Sequence, residues 1–151
     1  MQLGTLPALL LLSLASATAA GAQEEPVRYI TSNPNAAYSQ IVQAGNTIYL
    51  SGMLGTAPGQ GLAPGGIQPE TRQTLENIRG ALEKVGAAMS DVVKCTVFLA
   101  DMAEWGAMNE VYVTFFPENR PARSAVGVNG LAANARVEIE CMAITGPRSG
   151  G

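Results

Sequence analysis

Arg120-Pro121-Ala122-Arg123-Ser124-Ala125-Val126-Gly127-Val128 and the segment after it, Arg136-Val137-Glu138-Ile139-Glu140-Cys141-Met142-Ala143-Ile144, decide how this chain folds. The second segment alternates. Side chains on a strand repeat every two residues, so Val137, Ile139 and Cys141 take one face while Glu138 and Glu140 share the other. The first segment reads as a strand entered through Pro121, whose fixed φ helps aim Arg123. A guanidinium grips a carboxylate through two parallel hydrogen bonds, and a carboxylate under a closed interface is a candidate general base or acid. Arg123 with the Glu138/Glu140 strand therefore suits a small anionic substrate in a partly buried pocket. The plainer alternatives are a strand-end arginine in a surface ion pair and two solvated carboxylates.

Upstream of these strands, Val92, Val93, Cys95, Val97, Phe98 and Leu99 are dense in β-branched and aromatic residues and predict a buried strand. Leu75, Ile78, Leu82 and Val85 fall on one helical stripe, with Pro69 and Glu70 suited to its first turn and Gly86 to its end. Asp101 and Glu104 resemble a capping box for a second helix, in which Trp105, Met108, Val111, Tyr112 and Phe115 form a core stripe up to Pro117. Residues 41–44 and 48–51 flank Gly45-Asn46 as a hairpin, 27–31 form a short strand, 23–26 a frayed start, and 52–66 a Gly- and Pro-rich loop. The order is strand, strand, strand, helix, strand, helix, strand, strand: an α+β fold with one mixed sheet and both helices on one face. No segment remains to cover the other face, which points to association between copies.

Composition sets the outer bounds. The chain is 47% hydrophobic and 14% charged, with 17 glycines and a net charge of −3, which describes a compact globular protein. It carries no cluster of Lys and Arg, and this argues against nucleic-acid binding by phosphate neutralisation. With no histidine, Ser-His-Asp and Cys-His catalysis are excluded and the commonest metal ligand is missing. Chemistry must come from carboxylates, Arg, Tyr, Ser or Cys. Cys95 and Cys141 are read as two small buried side chains, a disulfide, or a reactive thiol. Residues 1–22, an apolar run ending Ala20-Gly21-Ala22 but lacking Lys or Arg, read as an export signal ahead of one domain at 23–151, with a retained anchor or a misplaced start codon as the alternatives. The protein is then expected to be periplasmic or secreted, with no stable membrane association after cleavage.

Four further residues attract attention. Ser51-Gly52, at the hairpin's end, offers a hydroxyl and backbone N–H groups where glycine lets a ligand come close. Tyr38 and Asn109 are polar groups in or beside apolar segments.

From about Ala37 to Ala143 the chain resembles the Rid (YjgF/YER057c/UK114) family of enamine/imine deaminases, often labelled endoribonuclease L-PSP. The resemblance is carried by Tyr38-Ser39-Gln40, Ile48-Tyr49-Leu50-Ser51-Gly52, the 73–78 and 92–99 segments, Met108-Asn109-Glu110-Val111-Tyr112, Phe115-Phe116-Pro117, Pro121-Ala122-Arg123-Ser124 and Val137-Glu138-Ile139-Glu140. It implies a chorismate-mutase-like fold assembled as a homotrimer around a central barrel, with ligand clefts between neighbouring subunits. It also implies hydrolysis of 2-imino acids without metal or organic cofactor. By position, Arg123 is the carboxylate clamp and Glu138 the residue that activates water, while Ser51, Gly52, Tyr38, Asn109 and Ala125 line the cleft. The chain departs from the family pattern at Ala125, often Cys, at Met53, commonly Gln, and at Ala36-Ala37, usually Gly-Pro. A trimeric small-molecule binder or chaperone-like protein that lost catalysis is the alternative.

Overall fold

The computed structural model describes residues 26–31 and 33–146. The expected signal at 1–22, and all of the expected frayed start except Pro26, lie outside them. A seven-stranded mixed sheet is built from β1 (Arg28–Ile30), β2 (Ile41–Ala44), β3 (Thr47–Leu50), β4 (Met53–Leu54), β7 (Val92–Leu99), β8 (Ala122–Gly127) and β9 (Val137–Ile144). Its order is β1-β2-β3-β9-β7-β8, with β4 also paired to β9. All pairs are antiparallel except β7 with β8, which the intervening helix α2 (Trp105–Tyr112) makes parallel. The β2–β3 hairpin turns at Gly45, whose φ of 56° is the left-handed conformation that glycine adopts at little cost.

Helix α1 (Ile67–Glu83) lays Leu75, Ile78, Ala81 and Leu82 on the sheet, where they meet Ile48, Val97, Val137 and Ile139 in one core. The face split expected for β9 is observed. Val137, Ile139, Cys141 and Ala143 are buried toward the helices, whereas Glu138 and Met142 are partly exposed and Glu140 is exposed. Ile144 at the end of β9, Tyr49 on β3 and Val93 on β7 are exposed large apolar residues, and no described segment covers that side of the sheet.

Several expectations need correction. The 52–66 loop contains β4 and a small hairpin of β5 (Thr56–Ala57) with β6 (Gly61–Leu62), because Gly and Pro hide the short pairings these backbones make. Glu70 does not simply serve the positive end of α1. It is buried, and its carboxylate accepts hydrogen bonds from the backbone N–H of Arg136 (2.7 Å) and Val137 (3.3 Å), so the helix holds the start of β9. Asp101 caps through the Ala103 N–H, but Glu104 pairs with Arg136 instead of completing a box. The second helix gives way at Val113 to a 3-10 turn. Trp105, expected in the core stripe, is 41% exposed. The cysteines are buried as expected but not free: Cys95 and Cys141 face one another across β7 and β9 and form a disulfide, which removes the reactive-thiol reading.

Candidate active site

Arg123 stands on β8, the sheet's edge strand, in register with Cys95 of β7, and so points to the helix side. There α2 presents three side chains one above another, at positions 105, 109 and 112. Arg123 Nη1 donates to Asn109 Oδ1 at 2.8 Å. The guanidinium carbon lies 4.5 Å from the centre of the Tyr112 ring and 5.8 Å from that of Trp105. These partners are a neutral amide and two aromatic faces. Among the described residues the ion pairs are Arg79–Glu76 and Arg136–Glu104, so no carboxylate neutralises Arg123. A half-buried guanidinium fixed by neutral groups keeps donors available for an anion.

Tyr112 cannot supply the missing charge. Burial pushes its phenol up to about 12 from an ordinary 10, and the nearby Arg123 only partly offsets this. Its hydroxyl is buried without a hydrogen-bond partner among the described residues. Ala125, two residues along the same face of β8, packs against the core.

Glu138 belongs to a second cluster. It leaves β9 on the face away from the helices, opposite Leu54 of β4 and Phe98 of β7. Gly52 lies against it: a Cβ built on Gly52 would fall 1.9 Å from Glu138 Oε1 and 2.8 Å from its carboxyl carbon. Only glycine leaves that carboxylate where it is. The Ser51 hydroxyl donates to the Ser39 carbonyl at 2.7 Å, and the Ser51 N–H donates to the Gln40 carbonyl at 3.1 Å. Ser51 thus ties down the segment carrying Tyr38, whose ring is 64% exposed. Tyr38, Ser51 and Gly52 line one groove of about 550 Å³.

The sequence-derived residues therefore form two groups rather than one. Arg123, Asn109 and Ala125 lie on the helix side of β8, and Glu138, Gly52, Ser51 and Tyr38 lie around the β3–β4 junction. Between Arg123 and Glu138 the register counts two strand spacings and three residues, roughly 14 Å between Cα atoms at standard dimensions, with the side chains on opposite faces. One small acid cannot touch both within a single chain. In the isolated protomer these residues therefore stand apart; the cleft expected from the resemblance lies between neighbouring subunits. Sequence reading missed Tyr112 and Trp105 as partners of Arg123, although the 105, 109, 112 spacing, i, i+4 and i+7 on one helix, was there to be read.

A family model described as Endoribonuclease L-PSP matches residues 30–145. The mouse protein named 2-iminobutanoate/2-iminopropanoate deaminase is 47% identical over 111 residues, which cover 73% of this chain and 82% of that protein. Yeast Mmf1 superposes with a TM-score of 0.75 at 33% identity, covering 80% of this chain and 100% of its own. E. coli TdcF, solved with bound serine, superposes with a TM-score of 0.70 at 32% identity, covering 74% and 90% respectively.

Proposed function

This chain belongs to the Rid family, the one whose model is described as Endoribonuclease L-PSP, and from that membership we propose that it hydrolyses 2-imino acids, in equilibrium with their enamines, to 2-oxo acids and ammonia. The observation that carries the reading is Arg123, a guanidinium held by Asn109 and two rings with no carboxylate of its own. It binds the substrate carboxylate, a charge-assisted contact worth about 1.5–3 kcal/mol. The serine bound to TdcF carries the same carboxylate and C2 nitrogen as a 2-imino acid.

Glu138 takes a proton from the water that attacks the C=N carbon and passes it to the nitrogen, then takes the carbinolamine hydroxyl proton and delivers it to the amine as the C–N bond breaks and the C=O forms, a role typically contributing about 10²- to 10⁴-fold. The imine is already electrophilic, so positioning and one proton shuttle suffice. Because the two residues lie apart in one chain, the cleft is shared: Arg123 comes from one copy and Glu138 from the next, in a homotrimer that also covers the open face of each sheet. The exported form, residues 23–151, works in the periplasm or outside the cell.

The ribonuclease in the family's description finds no support in a chain of net charge −3 without histidine. The test is the decay of 2-iminopropanoate or 2-iminobutanoate with and without the protein. Wild type should accelerate it, and Arg123→Ala and Glu138→Ala should each abolish the acceleration. Wild-type rates in both variants would remove the reading. Binding of 2-oxo acids without any acceleration would favour the non-catalytic binder.

A further inference from the structure

Cys95 and Cys141 have no part in the proposed hydrolysis, yet they are the chain's only cysteines and they are bonded to each other. Their Cα atoms are 4.1 Å apart, near the ~4.5 Å of a non-hydrogen-bonded antiparallel pair. The bond lies in the core, with Cys95 0% and Cys141 2% exposed. Disulfides form and persist in oxidising compartments and are rare in the cytosol. Independently, residues 1–22 have the apolar run and small-residue ending of an export signal.

We propose that Cys95–Cys141 is an oxidative-maturation site, closed by a thiol–disulfide exchange protein while the chain folds outside the reducing cytoplasm. In the first step the thiolate of one cysteine attacks the partner's disulfide, forming a mixed disulfide and releasing one partner thiolate. The second cysteine's thiolate then attacks the chain's own sulfur in that mixed disulfide and releases the other partner thiolate. The two cysteines lose two protons and two electrons, and the partner's disulfide becomes a dithiol. Exchange requires the attacking atom to reach a sulfur. With the helices packed on β7 and β9 neither sulfur is accessible, so oxidation precedes that closure, and afterwards reductants are shut out.

Position gives the bond a consequence for activity, which rests on the role proposed for Glu138. Cys95 is the register partner of both Arg123 and Cys141, so the bond locks β9 to β7 on the rung that leads to the clamp. A slip of one residue would turn Glu138 and Glu140 to the helix side. The bond thus fixes the face on which Glu138 emerges.

The full chain with its own N-terminal segment is produced in a Gram-negative host, and the exported fraction is unfolded in guanidinium with an alkylating reagent, without reductant. Intact mass should show no alkylated cysteine, and two after reduction in denaturant. Glutathione added to the folded protein should leave the bond intact, whereas the double variant Cys95→Ala/Cys141→Ala should unfold at lower denaturant. Free thiols in the exported protein, or rapid reduction of the folded protein, would overturn the proposal. Should the double variant fail to fold, the wild-type thiol count decides alone. That count needs no activity, so it stands or falls separately from the deaminase reading.

Discussion

Gly52 and Glu138 constrain one another so closely that a single methyl group tests the arrangement. The φ of Gly52 lies outside the left-handed region, so alanine is tolerable to the backbone, and the atoms its Cβ would strike are the movable end of Glu138. Gly52→Ala should therefore stay folded while displacing the carboxylate, lowering kcat by about 10²-fold or more, the scale of a lost general base; unchanged kcat would separate Gly52 from the chemistry. Tyr112 tests the other cluster. Tyr112→Phe keeps the ring under Arg123 and removes a buried, unpartnered hydroxyl, so KM should hold and stability should not fall. Tyr112→Leu removes the ring and should raise KM by up to about tenfold, the scale of one cation–π contact. The phenol is raised in the folded state, so its contribution to stability is complete below its ordinary value of 10 and is lost as pH rises through about 12. Denaturation at alkaline pH should show this loss in wild type and not in Tyr112→Phe. At this scale the sequence named Arg123, Glu138, Gly52 and Asn109 by chemistry and resemblance. It assigned Trp105 and Tyr112 to the core, where Tyr112 is indeed buried while Trp105 is 41% exposed, and an apolar stripe does not reveal which of its edges borders a cation.

Strand β9 shows how elements make the site, since three different devices hold it. It pairs with β3, β4 and β7, it is bonded to β7 through Cys141, and its first residues are held by a carboxylate from α1. Glu70→Ala leaves the N–H groups of Arg136 and Val137 without that acceptor and should cost about 1–3 kcal/mol in denaturant unfolding, as for a buried group left unsatisfied. An unchanged midpoint would mean that α1 does not support β9. The disulfide closes a loop across a sequence separation of 46 residues. In the chain-entropy view its loss should cost about 4 kcal/mol. Both helices and β9 were legible because each repeats apolar residues at its own period, β7 from its density of β-branched and aromatic residues, the β2–β3 hairpin from Gly45-Asn46, and β8 from its entry through Pro121. The β5–β6 hairpin was not: Gly59, Gly61 and Pro58 bend the chain, and two-residue strands carry no period to detect. Glu70 read as a helix-end acid because its second role depends on a strand 66 residues away.

On the scale of the whole molecule, the proposed trimer accounts for both the uncovered sheet face and the separation of Arg123 from Glu138. Strand β8 is an edge strand carrying Arg123 and an exposed Val126, and the open face beside Glu138 carries the exposed Tyr49 and Ile144. Association between copies is what the sequence led one to expect, since two helices can cover only one face of a sheet. The wide separation of Arg123 from Glu138 was not, because strand order and register are set by pairings that no local pattern encodes. If the cleft is shared in a closed ring of three, Arg123→Ala and Glu138→Ala chains assembled together regain one intact site per mixed trimer. The most direct measurement is imine hydrolysis by trimers reassembled from an equal mixture of these two inactive variants. Random assembly should restore roughly a quarter of wild-type activity. A mixture as inactive as either parent, although mixed trimers have formed, would contradict the shared cleft.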